Sequence, residues 1–173
     1  RKMKIKFLMQ IGLALVIAFF VSSCLDEDDD ADIQTKAEEM VLLNKYLANL
    51  EGQGYDIDTT DLNVYYITIE EGEGDYPEFG DTLTVGYSGY FVDGFLFDAS
   101  NIHEVDGKYQ FVLGADQMID GWNNGIKHVK EGGKIQFIVP SELAYGSQGS
   151  GIIGPNQTLI FVVKLFELNQ TEE

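Results

Sequence analysis

The side chains that could bear on chemistry here are mostly aromatic. Tyr87, Phe97, Tyr109, Phe111, Trp122, Tyr145 and Phe161 recur among polar punctuation, and Asp98 follows directly on Phe97. Such residues ordinarily form a core. The sets that support covalent or metal-dependent catalysis are missing: no GxSxG nucleophile elbow, no HExxH, no Walker loop and no dinucleotide fingerprint. The 1 Cys, Cys24, and the 2 His allow neither an intrachain disulfide nor a cysteine zinc cluster. His103 and His128 have no ligand-like neighbours at i+4 and read as surface or packing residues. Among 29 acidic residues, paired carboxylates discriminate nothing. No metal and no cofactor is expected.

Cys24 has a different role. Lys2 to Lys6 form a basic region, Phe7 to Val21 an apolar run broken only by Gln10 and Gly12, and Val21-Ser22-Ser23 leads into the Cys. The run is shorter than the ~20 residues a spanning helix needs and fits a secretory signal with a small-residue cleavage site. It resembles a bacterial lipoprotein signal, which implies that Cys24 is lipidated, becomes the mature N-terminus and holds the protein at a membrane. Two acyl chains, at ~0.8 kcal/mol per buried CH2, already anchor stably. The run Asp26 to Asp30 reads either as a solvated, self-repelling spacer or as a sorting tag. In the second reading it resembles the acidic residues after the Cys of Bacteroidetes-type lipoproteins, which implies an outer-membrane anchor in the cell envelope, with surface exposure the open alternative. It lacks the Gly and distant Glu of an EF-hand loop.

The elements that position the aromatics follow from pattern. The chain has 173 residues, enough for one domain with a core plus tails. Its formal charge is -18; with four of the 11 cations ahead of residue 24, the remainder carries 7 cations against 29 acids, or -22. That argues against nucleic-acid partners, whose phosphates call for Lys and Arg, and against electrostatic docking on anionic lipid. A composition 45% apolar, with 11 Phe and 9 Tyr, supports a globular core. Thr35-Lys36-Ala37-Glu38 is a capping box. Met40, Leu43, Leu47 and Leu50 follow at a/d-like spacing, Val41 widens the stripe, and Gly52 and Gly54 end the helix. The stripe either packs on its own domain or forms a homodimer through the Thr35–Leu50 helix; two heptads are too few to claim a coiled coil.

From residue 61 the pattern is β. Asn63 to Glu70, Leu83 to Phe91, Phe95 to Asp98, Tyr109 to Leu113, Lys134 to Val139 and Thr158 to Leu168 read as strands, with Asp93-Gly94 as a hairpin turn. The last is apolar enough to be central. Between Gly114 and Gly132, Ile119, Trp122, Ile126 and Val129 recur every three or four residues, one short helix. The expected organisation is a lipoprotein signal peptide over 1–23, an acidic tether over 24–34, an amphipathic helix and linker over 35–60, and an α+β domain over 61–170.

Within that domain an ordered series of motifs resembles the FKBP-type peptidyl-prolyl cis-trans isomerases. It runs Val85-Gly86-Tyr87-Ser88-Gly89-Tyr90, Val92-Asp93-Gly94, Phe97-Asp98-Ala99-Ser100, Tyr109-Gln110-Phe111-Val112-Leu113-Gly114 and Met118-Ile119-Asp120-Gly121-Trp122. It continues through Gly132-Gly133-Lys134, Val139-Pro140, Ala144-Tyr145-Gly146, Gly151-Ile152-Ile153-Gly154-Pro155-Asn156 and Leu159 to Leu165. The resemblance implies a curved antiparallel sheet wrapped around one short helix, preceded here by the N-terminal helix. It also implies a pocket between helix and sheet. Residue by residue it implies catalytic positions at Tyr87, Phe97, Asp98, Ile119, Trp122 and Tyr145. Substrate contacts are implied at Tyr109, Phe111, Met118, Ile153 and Phe161, with Tyr109 standing where Phe is more usual.

The implied activity is rotation of X-Pro bonds in exported proteins, with X-Pro-containing polypeptides as partners. The barrier of ~18–20 kcal/mol is amide resonance, and the twisted amide is less polar than either planar form. An apolar cleft favours it without nucleophile, base or metal. In the implied roles Trp122 is the floor, and Tyr87, Phe97 and Phe161 are the walls. The Ile119 N–H and Tyr145 hydroxyl hold substrate carbonyls, while Asp98 accepts from Tyr87 and faces the twisting carbonyl. The alternative is a non-catalytic module that captures proline peptides or a partner at the envelope. Two departures from the family stand out: a loop between Asp98 and Tyr109 about two residues longer than in compact members, and a small-residue rim, Ser147-Gln148-Gly149-Ser150-Gly151.

Overall fold

The computed structural model describes residues 34–171. The expected signal at 1–23, Cys24 and the acidic tract lie outside the described residues. Helix α1 (Lys36–Gly52) begins on its capping box: the Thr35 side chain accepts from the Glu38 N–H, and the Glu38 carboxylate accepts from the Thr35 N–H at 2.7 Å. The chain leaves it through Gln53 and Gly54, the latter at φ +88°, where a side chain would be strained.

The strands are β1 (Asp58–Thr59), β2 (Tyr65–Glu70), β3 (Thr82–Phe91), β4 (Leu96–Ala99), β5 (Tyr109–Val112), β6 (Lys134–Val139) and β7 (Leu159–Asn169). They form one antiparallel sheet in the order β1-β2-β6-β7-β3-β4, with β5 also on β3. The apolar strand β7 is central, as its sequence demands. One edge of β3 is shared: Thr82 to Val85 face β5, and Ser88 to Tyr90 face β4. Register then sets Tyr109 opposite Val85, Asp98 opposite Gly89, and Phe161 opposite both Gly89 and Phe137.

Alternation sends the two faces of the sheet into two cores. Leu83, Val85, Ile135, Phe137, Val139, Phe161, Val163 and Leu165 pack against helix α3 (Asp120–Gly125) through Trp122, and against Ile126 and Val129 beyond it. The helix tightens after Gly125 into a 3-10 turn, Ile126–His128. It sits close because Gly121 and Gly125 have no side chain; a Cβ at Gly121 would lie 2.1 Å from Val139 Cγ1. On the opposite face Ile67, Ile138 and Ile160 pack against Leu43 and Leu50 of α1. Each such burial contributes roughly 1.5–3 kcal/mol. The helix over 35–52 therefore packs on its own domain, and both belong to one unit.

Its buried stripe keeps Leu43, Leu47 and Leu50 of the expected positions but not Met40. Met40 and Val41 are exposed, at 47% and 67%, while Glu39 is fully buried. The inward positions are 39, 43, 46, 47 and 50; Glu39 can take the first because its carboxylate meets Lys36, Ser141 and Thr158, whose hydrogen bonds offset its loss of water. Three short elements have no counterpart in the sequence pattern: β1, helix α2 (Ser100–His103) and the 3-10 turn Ser141–Leu143. Two to four residues are too few to show a period.

Candidate functional site

A cavity of about 230 Å³ opens between α3 and the face of the sheet on which it packs. It is lined by Tyr87 from β3, Phe97 and Asp98 from β4, Tyr109 from β5, Met118 and Ile119 ahead of α3, Trp122 within it, Tyr145 from the β6–β7 loop, and Phe161 from β7. Residues separated by up to 74 positions are gathered because β3, β4 and β7 are neighbours and α3 packs across them.

Trp122 lies at the bottom, 3% exposed, ringed by perpendicular aromatics: Tyr87 at 5.3 Å, Phe161 at 5.2 Å and Phe137 at 5.5 Å between centroids. Edge-to-face pairs of this kind contribute ~0.5–1.5 kcal/mol each beyond their burial. The indole N–H is buried without a partner among the described residues. Phe97 stands perpendicular to Phe161 at 5.7 Å. Gly89 permits this: a Cβ there would lie 2.6 Å from the Phe97 ring.

A hydrogen-bonded carboxylate stands beside these rings. The Tyr87 hydroxyl donates to Asp98 Oδ2 at 2.8 Å, and the Ala99 N–H donates to Oδ1 at 2.8 Å. Burial first, and then the adjacent Asp98, push the Tyr87 hydroxyl above the usual phenol range, so it remains a proton donor. Asp98 is half-buried, with its carboxylate held in one orientation. Ser100 fixes the surrounding backbone: its Oγ accepts from the Tyr87 N–H at 3.0 Å and donates to the Gly107 carbonyl at 2.6 Å.

The Ile119 carbonyl accepts from Trp122 and Asn123, starting α3, and the Ile119 N–H makes no hydrogen bond among the described residues. Tyr145 is 39% exposed at the rim. Two expected substrate contacts stand elsewhere: Phe111 and Ile153 do not line the cavity and are buried in the core, at 2% and 8% exposed. Phe111 supports the site from behind, stacked on Tyr109 at 5.8 Å and edge-on to Trp122 at 5.9 Å. Ile153 is turned inward where Ser150 and Ile153 bridge the tip of their loop.

Sequence reasoning missed Ser100, His103, Glu104 and Gln117, which also line the cavity. His103 is exposed, as a surface residue should be, but its Nε2 lies 2.6 Å from Asp98 Oδ1 at the mouth. The signal was a His five residues after the Asp, brought back by one turn of α2. His128 does pack, stacked on Tyr66 at 4.5 Å. A larger cavity of about 640 Å³ has Glu71, Glu73, Asp75 and Glu131 in its walls. Among the described residues no His, Cys, Asp or Glu cluster is arranged to hold a metal.

Residues 74–166 match the family described as FKBP-type peptidyl-prolyl cis-trans isomerase. A probable FKBP-type peptidyl-prolyl cis-trans isomerase of Haemophilus influenzae is 40% identical over 122 residues, which cover 70% of this chain and 49% of that protein. An FK506-binding protein of Streptomyces anulatus is 44% identical over 100 residues, 56% of this chain and 79% of that protein. The crystal structure of FkpA from Escherichia coli superposes with a TM-score of 0.65 at 33% identity, covering 79% of this chain and 63% of that one. The chain spans about half the length of the Haemophilus influenzae protein and of FkpA as full sequences. With its motifs, its sheet and its aromatic cavity in one register, the chain belongs to the FKBP-type peptidyl-prolyl cis-trans isomerase family.

Proposed function

We propose that the cavity catalyses cis-trans rotation of X-Pro bonds in polypeptides. The observation that carries this is the aromatic floor and walls beside the oriented Asp98 carboxylate. Twisting the amide breaks resonance, moves charge off the carbonyl oxygen and returns a lone pair to nitrogen. The apolar walls of Tyr87, Phe97, Trp122 and Phe161 solvate the less polar twisted form better than the planar one. Asp98 repels the carbonyl oxygen of the planar amide more than that of the twisted amide, and Tyr87 keeps it aimed. The Ile119 N–H and the Tyr145 hydroxyl hold flanking substrate carbonyls, while Tyr109 and Met118 close the sides. A thousandfold acceleration needs only ~4 kcal/mol of differential stabilisation. The test is the slow phase of a proline-limited refolding reaction, which takes tens of seconds uncatalysed. Acceleration by the chain is expected. Proline peptides bound without acceleration would make the cavity a non-catalytic capture module.

The working place we assign is the cell envelope. The basic, apolar and Val-Ser-Ser-Cys sequence supports lipidation at Cys24, and the acidic tract supports sorting to the outer membrane. Partition of the protein into a detergent phase, abolished in Cys24→Ser, tests the anchor. Protease treatment of intact cells separates surface display from a periplasmic orientation. A homodimer through Thr35–Leu50 would have to use the exposed Met40 and Val41, since Leu43 and Leu50 pack on the sheet. Light scattering at one chain's mass would exclude it.

A further inference from the structure

Helix α1 lies outside residues 74–166, the part matched to the family, yet its most deeply buried side chain reaches the loop that carries Tyr145. Glu39 is 0% exposed. Its Oε1 accepts from the Ser141 N–H at 2.7 Å and the Thr158 hydroxyl at 2.8 Å. Its Oε2 accepts from the Ser141 hydroxyl at 2.6 Å and from Lys36 Nζ at 2.7 Å. Ser141 and Thr158 are the two feet of one excursion, between the end of β6 at Val139 and the start of β7 at Leu159. A single carboxylate closes that loop at its base.

The link from there to Tyr145 is short. The Ser141 carbonyl accepts from the N–H groups of Ala144 and Gly146, at 2.9 and 2.8 Å, bracketing Tyr145. The Gly146 carbonyl accepts from the Asn156 N–H at 2.8 Å. Asn156 in turn exchanges two hydrogen bonds with Gln34: its Nδ2 donates to the Gln34 carbonyl at 2.7 Å, and Gln34 Nε2 donates to the Asn156 carbonyl at 2.8 Å. The segment entering α1 thus grips the loop at both feet and near its return. Only a carboxylate suits the central position, because two oxygens accept four bonds while an amide offers one acceptor and turns donors toward donors. Deleting it leaves buried donors unpaired, which the loop can relieve only by moving.

We propose that Glu39 is a positioning residue for Tyr145, so that the N-terminal helix sets the geometry of the rim of the cavity. This rests on the isomerase reading of that cavity. The experiment measures kcat/KM on a proline peptide for the full chain as wild type, Glu39→Ala, Tyr145→Phe and the double variant, alongside amide exchange over residues 144–154. Glu39→Ala is expected to lower kcat/KM about tenfold or more, within the roughly hundredfold that a misplacement of about 1 Å can cost, and to speed exchange in the loop. In the Tyr145→Phe background the same change is expected to cost less than about twofold, because coupled residues are not additive. An equal loss in both backgrounds, or none in either, overturns the proposal, as does unchanged exchange over the loop. If Glu39→Ala does not fold, Thr158→Val removes one bond and is read in the same way. A wild-type chain without turnover overturns the isomerase reading itself; wild-type turnover untouched by Glu39→Ala overturns only the positioning role.

Discussion

At the scale of residues, the candidate site sets aromatic walls beside the oriented carboxylate of Asp98. Phe97 forms a wall by lying across a strand that has glycine beneath it, and Asp98 is fixed by Tyr87 on one oxygen and by backbone on the other. Phe97→Ala and Asp98→Val are each expected to lower catalysed refolding by about tenfold or more, a loss of ~1.4 kcal/mol or more of transition-state stabilisation; full activity in both would reject the site. The chain has 1 Trp, and it is the floor. Intrinsic fluorescence on titration with a proline peptide is therefore expected to change saturably, and Phe97→Ala should weaken that titration without moving the unliganded spectrum far. These residues were legible in the sequence because their motifs are local. Phe111 and Ile153 were not separable from them, since being behind a wall and being in it leave the same aromatic or aliphatic letter.

At the scale of elements, two close approaches decide stability. Gly121 brings α3 onto β6, and a methyl group there would meet Val139. Gly121→Ala is expected to destabilise by about 1–3 kcal/mol, the cost of overpacking, read as a lower denaturant midpoint with an unchanged slope. The other approach is α1 on the back of the sheet, through Glu39. Burial raises its pKa, but the bonds from Lys36, Ser141 and Thr158 outweigh this and hold the carboxyl below its ordinary 4.5. A depressed folded value means that the stabilisation is fully present above the unfolded pKa and is lost as pH falls through the folded one. The stability gap between wild type and Glu39→Gln should accordingly narrow as pH falls below the ordinary 4.5; a gap that stays constant into acid would contradict the assignment. The capping box, the glycine exit and the six longer strands were readable from pattern, because each is encoded within a few residues. The inward residue of the first turn of α1 was not. Glu39 takes the place expected of Met40 because Ser141 and Thr158, which donate to it, lie over 100 residues away.

At the scale of the whole molecule, one sheet separates two cores, α3 on one face and α1 on the other. The cavity occupies the first face, and the clamp that steadies its rim comes from the second, around the edge of the β6–β7 loop. By itself the sequence determined the class of fold, the places of its longer strands along the chain, the central position of the last, and the short helix; the family resemblance implied the pocket of aromatics. The sequence also determined the negative charge that argues against nucleic-acid partners. The elements and the charge follow from local patterning or from composition, quantities that survive without knowing which residues meet. The tertiary structure decided that the N-terminal helix is part of the domain, that His103 returns to Asp98, and that Glu39 joins Ser141 to Thr158. Those are pairings across turns and between elements. They depend on register and on the angle at which a helix lands, and hydrogen-bond energy favours them only once the chain has closed the loops that bring the partners within reach.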